Sequence, residues 1–600
     1  MKGVFLKQAL YREWVVLLMA LLIGGIHVSH HVLLRTYLTT GQIYHPITFE
    51  ASYDEAAGYG SRAKAFYTGQ FPVVDTALLE HEKDRISPMP PLNPIVMGGL
   101  GRILGSLDRA FIVSDFLFPA LIFIFLYILL FELTGRKTFS IVGAAVFMFV
   151  PRFALAIPPL SMSGAHELFR DIVPSIGKVD ELYFSRFDYP QITYLFYIPA
   201  FFFILRALKR DAYVWTLSAG VSFGLLFYTY FYDWAYMLTA LVFMCVFFIL
   251  GKRYNYAQKI FAITGIGFLV SVPYWINFVY LHALPQYSDL IRRSGVEISR
   301  SFRFRAWTTY VRSIGFVGMV VLLFRRNDYM HTIYLVAFLL SPFIVLNMQV
   351  FAGFNPQPDH WHRVQFLPFF LAMIVMVAWI CKRYVPSLFS KNAKRAVWTI
   401  LVLFLGLQFH GQIAMSRIRA PAYTIDASHE KSYAWLIKHT PAGSVVGALS
   451  PITNIELILY THNHSFLPTG LHSLASNEEI WDRVVILGKL FGMREENFIW
   501  YVNAERNLNF LFHNVYRSDL SLDSFMRGDT SLQAPEEIIQ SNVKRFKMPI
   551  AFPIPYTLDY LYTDERLGEN MSATGTVVYS DNGITIYSLR AYPPLNDETR

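Results

Sequence analysis

The chain has 600 residues, of which 54% are hydrophobic, 16% aromatic and 16% charged, and its mean hydropathy is positive. These values are too apolar for a soluble enzyme of several domains, so the composition indicates a polytopic membrane protein. The formal net charge is +9 at pH 7, but the basic residues form short clusters between apolar segments, which argues against nucleic acid as a partner.

The first apolar segment, 14–34, follows three basic residues, Lys2, Lys7 and Arg12. Basic residues followed by an apolar segment are typical of a secretory signal. However, no small-x-small cleavage site closes the segment, and further apolar segments follow it. We therefore interpret 14–34 as an uncleaved signal anchor with the N-terminus in the cytoplasm.

Apolar segments long enough to cross a membrane recur up to residue 415. A membrane-spanning helix needs roughly 20 mainly apolar residues, and about eleven segments are candidates. They are 14–34, 110–132, 139–157, 189–205, 213–231, 234–250, 260–281, 311–324, 332–352, 366–381 and 396–415. The predicted fold class is therefore a polytopic α-helical membrane protein. Cys245 and Cys381 both lie in these segments, which excludes a disulfide framework and a cysteine-based zinc site.

The connections between the segments carry basic clusters in alternation. These clusters and the N-terminus then share the cytoplasmic side, as the positive-inside rule requires. The external side then receives 35–109, 158–188, 282–310, 353–365 and everything after 415. Nearly all loop residues with side chains suited to catalysis or ligand binding lie there, so we expect function at the external face. The membrane would be the plasma (inner) membrane of a prokaryote or the endoplasmic reticulum of a eukaryote.

The large first loop, 35–109, carries two adjacent acidic residues, Asp54 and Glu55. Residues 53–67 have helical spacing, which places the pair at the N-terminal end of a helix lying along the membrane. Acidic residues at such a position cap backbone amides and complement the helix dipole. A carboxylate at a membrane surface is also a candidate for catalysis, and the residues alone leave both interpretations open.

Other acidic residues and a histidine lie in or beside the external loops. His166 and Glu167 precede the segment 189–205, and Asp233 lies at a tight corner between two segments, flanked by aromatic residues. Ionisable groups at membrane depth usually have a function. We predict that these three residues contact the substrate.

The external loop 282–310 is rich in arginine, on the side where the positive-inside rule predicts few. The candidates are Arg292, Arg293, Arg303 and Arg305. Guanidinium groups pair well with phosphate oxygens, which predicts a site for a phosphorylated donor. The alternative is attraction to the headgroups of anionic membrane lipids.

The loop 353–365 holds the densest run of polar groups between segments, with His360, Trp361, His362 and Arg363. Arg363 is a candidate for the donor phosphate, and Trp361 for stacking on a sugar. Because the histidines are two residues apart, they face one ligand only in an extended strand. We predict that this loop contacts the donor or the acceptor.

Beyond residue 415 the composition becomes that of a globular domain. The sequence predicts a transmembrane module over 1–415 and an external mixed α/β domain over 416–600. The predicted elements are a helix over 427–439, a strand over 444–449, a helix over 454–460 and a hairpin around Asp581-Asn582-Gly583.

An N-terminal span, an external first loop in which Asp54-Glu55 opens a juxtamembrane helix, further spans and a terminal external domain together resemble the GT-C class of integral-membrane glycosyltransferases. This class includes protein O-mannosyltransferases, aminoarabinose transferases and oligosaccharyltransferase catalytic subunits. The resemblance implies transfer of a sugar from a polyprenyl phosphate carrier to a glycan, lipid or protein at the external face. It implies Asp54 as general base, with Glu55 as its substitute or orienting partner.

The resemblance does not decide whether the reaction uses a metal ion. If a divalent cation is used, as in the oligosaccharyltransferase branch, the implied oxygen ligands are Asp54, Glu167 and Asp233. Two other functions are also open, a transporter or flippase of a lipid-linked glycan and a non-catalytic assembly subunit. Transporters usually have repeated halves and ionisable groups at mid-membrane. The chain shows no internal repeat and its polar groups crowd on one face, which favours the transferase.

Overall fold

A computed structural model describes residues 2–47, 54–83, 85–156, 166, 169–170, 172–173, 182–304, 306–324, 329–386, 390–519, 530–550, 553–564, 566 and 573–589, apart from the side chains of 2–12, 54, 55, 156, 324 and 359. The described chain forms two compact units. The helical unit comprises Met1–Tyr37, Arg109–Trp275 and Ile298–Ala420. The mixed unit comprises Leu38–Asp108, Ile276–Glu297 and Pro421–Arg600. The first loop is thus grouped with the C-terminal part, and the functional boundary at 415–416 stays a prediction.

The described chain is predominantly helical. Its α-helices, π-helices and 3₁₀ turns are Lys2–Arg35, Asp54–Gly60, Ser61–Thr68, Leu79–Glu82, Leu92–Leu104, Leu107–Thr134, Lys137–Phe149, Phe153–Ala156, Tyr183–Ser185, Phe187–Ile192, Thr193–Lys209, Tyr213–Leu226, Phe231–Leu250, Tyr254–Val270, Val272–His282, Tyr287–Arg293, Trp307–Phe324, Tyr329–Leu340, Pro342–Val345, Met348–Ala352, Pro358–His360, Trp361–Val364, Phe366–Tyr384, Lys391–Arg419, Ala420–Tyr423, Ala427–His439, Pro451–Tyr460, Gly470–His472, Asn477–Leu490, Glu495–Asn503, Glu505–Phe512 and Glu536–Lys547.

Among the described residues, six helical stretches are long and apolar enough to cross a membrane, or seven if one bent pair counts as a single span. The six are Glu13–Arg35, Leu107–Thr134, Phe187–Lys209, Phe231–Leu250, Trp361–Tyr384 and Lys391–Tyr423. Four other predicted spans contain shorter apolar helices, namely Lys137–Phe149, Tyr213–Leu226, Trp307–Leu323 and Tyr329–Val345. The chain is an integral membrane protein, and the count of eleven spans stays a prediction.

The core of the helical unit is dense in tyrosine, and several of the hydroxyls bond to the backbone of another helix. Tyr236 donates to the carbonyl of Phe338 at 2.6 Å, and Tyr334 donates to the carbonyl of Phe201 at 3.0 Å. Water is scarce at membrane depth, so polar groups there must be satisfied within the protein. These bonds therefore fix the helices against one another while keeping the tyrosines buried.

The strands are short. They are β1 (Gln42–Tyr44), β2 (Val296–Ile298), β3 (Phe354–Pro356), β4 (Thr424–Asp426), β5 (Val445–Gly447), β6 (His464–Ser465), β7 (Tyr560–Thr563), β8 (Thr576–Asp581) and β9 (Ile584–Ser588). In the mixed unit β1 pairs antiparallel with β4, which ties the first loop to the C-terminal part. A five-stranded sheet has the order β6-β5-β7-β9-β8, in which β5 runs parallel to β6 and β7 and the other pairs are antiparallel.

The elements predicted for the C-terminal part are confirmed. The helices form over Ala427–His439 and Pro451–Tyr460, and the strand forms over Val445–Gly447. β8 and β9 form the predicted hairpin, with φ of 46° at Asn582 and 79° at Gly583. Positive φ at both central residues is the requirement of a type I′ turn, which Asn-Gly meets at low energetic cost.

Candidate functional site

The acidic pair of the first loop begins a helix of the mixed unit. The chain forms a π-helix over Asp54–Gly60 and continues as an α-helix over Ser61–Thr68. This confirms the predicted helical spacing. The side chains of Asp54 and Glu55 lie outside the described part of the chain, so their role in catalysis stays a prediction.

Two basic side chains fix this first-loop helix within the mixed unit. Arg62 is buried and donates to the hydroxyl of Ser87 at 3.0 Å. Lys64 donates to the carbonyl of Ile458 at 2.6 Å and also to that of Thr461, at the C-terminal end of another helix. A lysine there satisfies the last carbonyls and complements the negative end of the helix dipole. Burial lowers the pKa of Lys64 to about 8.

His472 packs directly on the backbone of the first-loop helix. A Cβ atom at Gly58 would lie 2.0 Å from Nε2 of His472. The imidazole is buried, and within the described residues neither ring nitrogen has a hydrogen-bond partner. Burial lowers the pKa of His472 to about 3, and the neighbouring Arg62 and His513 act in the same direction. A neutral ring therefore contacts the helix that the acidic pair begins.

The two arginines at the end of the Tyr287–Arg293 helix have different environments. Arg293 is buried and donates to Oδ1 of Asn477 at 2.8 Å and to the carbonyls of Ser473 and Ala475 at 3.1 and 2.6 Å. These bonds engage both terminal nitrogens and fasten the helix inside the mixed unit. Arg292 is exposed. Binding of phosphate by either residue stays a prediction, and the exposed guanidinium of Arg292 is the more accessible of the two.

Asp233 lies in the first turn of the Phe231–Leu250 helix and is completely buried. Among the described residues, neither of its carboxylate oxygens has a hydrogen-bond partner. Tyr183, Tyr189 and Tyr194 lie in its neighbourhood. A buried carboxylate without a partner is strongly unfavourable. Contact of Asp233 with the substrate stays a prediction, and its burial without a described partner agrees with the rule that ionisable groups in membrane spans usually have a function.

Arg363 belongs to the same group of side chains. Its guanidinium carbon lies 5.9 Å from the centroid of the Tyr189 ring, and Tyr183 and Tyr230 are also in its neighbourhood. The hydroxyl of Tyr230 is 2.9 Å from Nδ1 of His360. We call this group the helical-unit site, and its members are Tyr183, Tyr189, Tyr194, Tyr230, Asp233, His360 and Arg363.

Trp361 packs in the core. Its side chain has no exposed surface, its Nε1 donates to Oδ1 of Asn355 at 2.7 Å, and its ring meets that of Tyr232 edge-on at 4.8 Å. The predicted stacking of a sugar on Trp361 is corrected by this geometry, because neither face of the indole is open. The residue holds the loop in place instead.

The histidines on either side of Trp361 also depart from the prediction. The backbone is helical over Pro358–His360 and Trp361–Val364, so residues two apart do not face one ligand. His360 meets Tyr230, whereas the ring of His362 lies 5.8 Å from that of Phe366. The prediction that His360 and His362 face one ligand from an extended strand is therefore wrong.

The remaining predicted residues are outside the helical-unit site or outside the described chain. Arg303 is exposed, and its backbone amide donates to Oδ1 of Asn347 at 2.8 Å. His166 is exposed. Arg305 and Glu167 lie outside the described residues, so their contacts with phosphate, substrate or metal stay predictions.

Two sets of buried polar residues were not predicted from the sequence. The first is the set of tyrosines around Asp233, which no sequence pattern singled out. The second comprises His30, His31 and Asp115, which gather in the helical unit. Their signal was present, since acidic residues and histidines inside apolar spans are rare. What the sequence does not indicate is which of them meet.

The fold and the site together describe an integral membrane protein with a helical unit that holds a buried carboxylate and a guanidinium among tyrosines, and with a mixed α/β unit. No protein-family model matches the chain, and no curated protein matches it. Among solved structures, the chain is similar to the crystal structure of ArnT from Cupriavidus metallidurans bound to undecaprenyl phosphate. The identity is 11%, the match covers 76% of this chain and 86% of that chain, and the TM-score is 0.44. A likeness of this size leaves the function to be argued from the residues of the chain itself.

Proposed function

We propose that the protein is a membrane glycosyltransferase that moves a sugar from a polyprenyl phosphate carrier to an acceptor at the external face of the membrane. The observation that carries the proposal is the helical-unit site, in which Asp233 and Arg363 share Tyr183 and Tyr189 as neighbours inside a unit of apolar helices. A sugar phosphate on a long apolar chain needs a cation, hydrogen-bond acceptors and an apolar surface. These residues supply all three.

The parts of the donor match the site by charge. The guanidinium of Arg363 suits the phosphate, because its planar donors pair with two phosphate oxygens at once. The carboxylate of Asp233, which has no hydrogen-bond partner among the described residues, suits the hydroxyls of the sugar. The tyrosines supply ring faces and hydroxyls, and the apolar helices suit the polyprenyl chain. Undecaprenyl phosphate, the lipid bound to ArnT, is a carrier of this chemical kind.

The chemical step assigns the general base to Asp54, in the first-loop helix of the mixed unit. The hydroxyl oxygen of the acceptor forms a bond to the anomeric carbon, and the bond from that carbon to the phosphate oxygen breaks. The acceptor proton passes to the carboxylate of Asp54, and the polyprenyl phosphate leaves with the electron pair. Glu55 orients Asp54 or replaces it. Cationic groups stabilise the charge that develops on the leaving phosphate.

A transporter or flippase of a lipid-linked glycan is the second candidate. The observation that favours it is again Asp233, since an ionisable residue buried in a membrane span is typical of transport pathways. A transporter moves the lipid across the membrane without breaking the sugar–phosphate bond. Release of free polyprenyl phosphate therefore separates the two functions, whatever the acceptor.

The test uses the full chain in native membranes supplied with a polyprenyl phosphate-linked sugar. Free polyprenyl phosphate is measured by mass spectrometry. We expect wild-type membranes to release it and Asp54→Asn to reduce the rate at least about a hundredfold, because Asn keeps the shape and removes the base. Equal amounts of folded protein are checked by gel filtration of detergent extracts.

Asp426→Asn is the matched control. Asp426 is an exposed acid that precedes a helix of the same unit, and its side chain makes no capping bond. We expect it to release polyprenyl phosphate at the wild-type rate. Full activity in a folded Asp54→Asn protein would remove Asp54 as the base. Movement of the intact donor lipid without release would establish the transporter instead.

A further inference from the structure

Three buried residues of the helical unit form a separate polar group. His30 and His31 lie near the end of the N-terminal helix, and Asp115 lies in the Leu107–Thr134 helix. All three are buried, with at most 4% of their surface exposed. None belongs to the helical-unit site, and the proposed sugar transfer uses none of them.

Both imidazoles point at one carboxylate oxygen. Nε2 of His31 is 2.8 Å from Oδ2 of Asp115, and Nε2 of His30 is 3.3 Å from the same oxygen. Adjacent residues on a helix normally point in different directions, yet the two rings lie with their centroids 4.0 Å apart. One potential ligand atom from each residue lies within 4.8 Å of the other two.

The hydrogen bond at the other side of the His30 ring determines where its proton is. Nδ1 of His30 lies 2.6 Å from the carbonyl oxygen of His27. A carbonyl can only accept, so Nδ1 carries the hydrogen and, in a neutral ring, Nε2 carries a lone pair. That lone pair faces the lone pairs of the Asp115 oxygen in a buried environment. The contact is favourable only if a cation, either a proton or a metal ion, lies between them.

The surroundings have the features of a metal site. Metal-ligating histidines usually donate the other ring N–H to a backbone carbonyl, as His30 does to His27. The carboxylate is oriented by Gln191, whose Nε2 donates to Oδ1 of Asp115 at 2.6 Å. Oδ2 is thereby left to face the histidines. Ligand orientation of this kind strengthens metal binding.

We propose that His30, His31 and Asp115 bind a divalent transition metal ion of the zinc type. Two nitrogens and one oxygen are a ligand set that zinc accepts. Two ligands about 2.0 Å from a tetrahedral zinc ion lie about 3.3 Å apart. This matches the separation of the His30 nitrogen from the Asp115 oxygen, and the His31 nitrogen needs to move outward by about 0.5 Å.

The metal joins three parts of the helical unit. His30 and His31 come from the first span, and Asp115 from the second. Gln191, which orients Asp115, lies in the Phe187–Ile192 segment that also carries Tyr189 of the helical-unit site. The ion therefore helps to fix, through Asp115 and Gln191, the segment that carries Tyr189. Its role is structural, and its occupancy does not depend on whether the proposed transferase function is correct.

The test measures metal in the full-length protein, purified in detergent with an affinity tag free of histidine. After loading with zinc and removal of the excess, we expect about one zinc per chain. His31→Ala and Asp115→Asn should retain less than about a tenth of that amount. Gln191→Leu should lower the affinity about 10- to 100-fold, because it removes the bond that orients Asp115 and leaves the three ligands in place. The matched control is His410→Ala, an exposed histidine on another span, which should bind as the wild type does.

Loading of the wild-type protein with cobalt keeps the test decisive even if a variant does not fold. We expect a visible absorption band of bound cobalt, and X-ray absorption that indicates two imidazole ligands. A wild-type protein that binds neither metal would overturn the proposal and identify the shared cation as a proton. Equal loading of the wild type and His31→Ala would overturn it as well.

Discussion

Asp233 combines complete burial with a carboxylate that has no hydrogen-bond partner among the described residues. Packing alone would favour an apolar residue at this position, since an unsatisfied buried polar group destabilises a protein by about 1–3 kcal/mol, and a charged one by more. Residues that reduce stability in this way are typical of functional sites. Asp233 is therefore the residue at which stability and activity should separate most clearly.

The prediction for this residue is the exchange Asp233→Leu. We expect the thermal unfolding temperature of the detergent-solubilised protein to stay equal or to rise, because leucine has the same branched shape and removes the unsatisfied group. Release of free polyprenyl phosphate should fall at least about tenfold, because a hydrogen bond to a charged group contributes about 1.5–3 kcal/mol. Thermal scans and the membrane assay measure the two effects.

Asp211→Asn serves as the control for Asp233→Leu. Asp211 is fully exposed and pairs with Lys259 at 2.7 Å, so its exchange should leave both measurements unchanged. A loss of stability together with activity in Asp233→Leu would contradict the prediction. The carboxylate would then have a structural role, with a partner that its charge requires.

Single residues differ in how far the sequence predicts them. Asp233 and Arg363 could be found, because a charged side chain beside an apolar segment is conspicuous in any membrane sequence. Trp361 was assigned an open face, but aromatic residues pack in cores as readily as they bind sugars. The pairing of His31 with Asp115 joins positions 84 residues apart. No local pattern in one sequence indicates such a pair.

At the scale of elements, the first-loop helix depends on one close backbone contact. Gly58 allows the ring of His472 to lie against the helix, where a Cβ atom would be 2.0 Å from Nε2. The same helix is fixed by Arg62 and Lys64 through the hydrogen bonds to Ser87 and to the carbonyl of Ile458. Gly58 is thus the position at which the smallest added group disturbs the helix most.

Gly58→Ala should destabilise the protein by about 1–3 kcal/mol, because the added methyl group overpacks the contact with His472. The double variant Gly58→Ala, His472→Ala should be less unstable than the sum of the two single variants, since removal of the ring makes room for the methyl group. Denaturant or thermal unfolding of the four proteins gives this coupling as a double-mutant cycle.

Gly25→Ala is the control for the added methyl group. Gly25 lies inside a helix, and an added Cβ would meet nothing within 4 Å. We expect stability to be equal or to increase by up to about 1 kcal/mol, the difference in helix propensity. Strictly additive losses in the double-mutant cycle would show that His472 does not press on the helix at residue 58.

At the scale of the whole molecule, the elements were more predictable than their grouping. Helix periodicity, caps and the Asn-Gly turn act locally, which is why the helix over Ala427–His439 and the β8–β9 hairpin were predicted closely. The pairing of β1 with β4 was not predicted. These strands have three residues each and are far apart in sequence. Their pairing therefore depends on tertiary packing, and so does the grouping of the first loop with the C-terminal part.

The assignment of each loop to the cytoplasmic or the external side rests on the distribution of charge in the sequence. It gives a testable prediction at the last span. The stretch Lys391–Tyr423 is long and apolar enough to cross the membrane. The basic cluster 382–395, which includes the start of this stretch, is predicted to face the cytoplasm by the positive-inside rule. The mixed α/β part that follows is then external, where the proposed acceptor is met.

Cysteine labelling tests this prediction. In a background with Cys245 and Cys381 replaced by alanine, cysteine is introduced at the exposed positions Lys438 or Lys394, on opposite sides of that span. A membrane-impermeant maleimide should label Lys438→Cys in intact cells and Lys394→Cys only after lysis. Expression and elution equal to wild type show that each variant is folded.

The reverse pattern would place the mixed unit in the cytoplasm and remove the external acceptor from the proposed reaction. Labelling of both positions in intact cells would instead show that Lys391–Tyr423 does not cross the membrane.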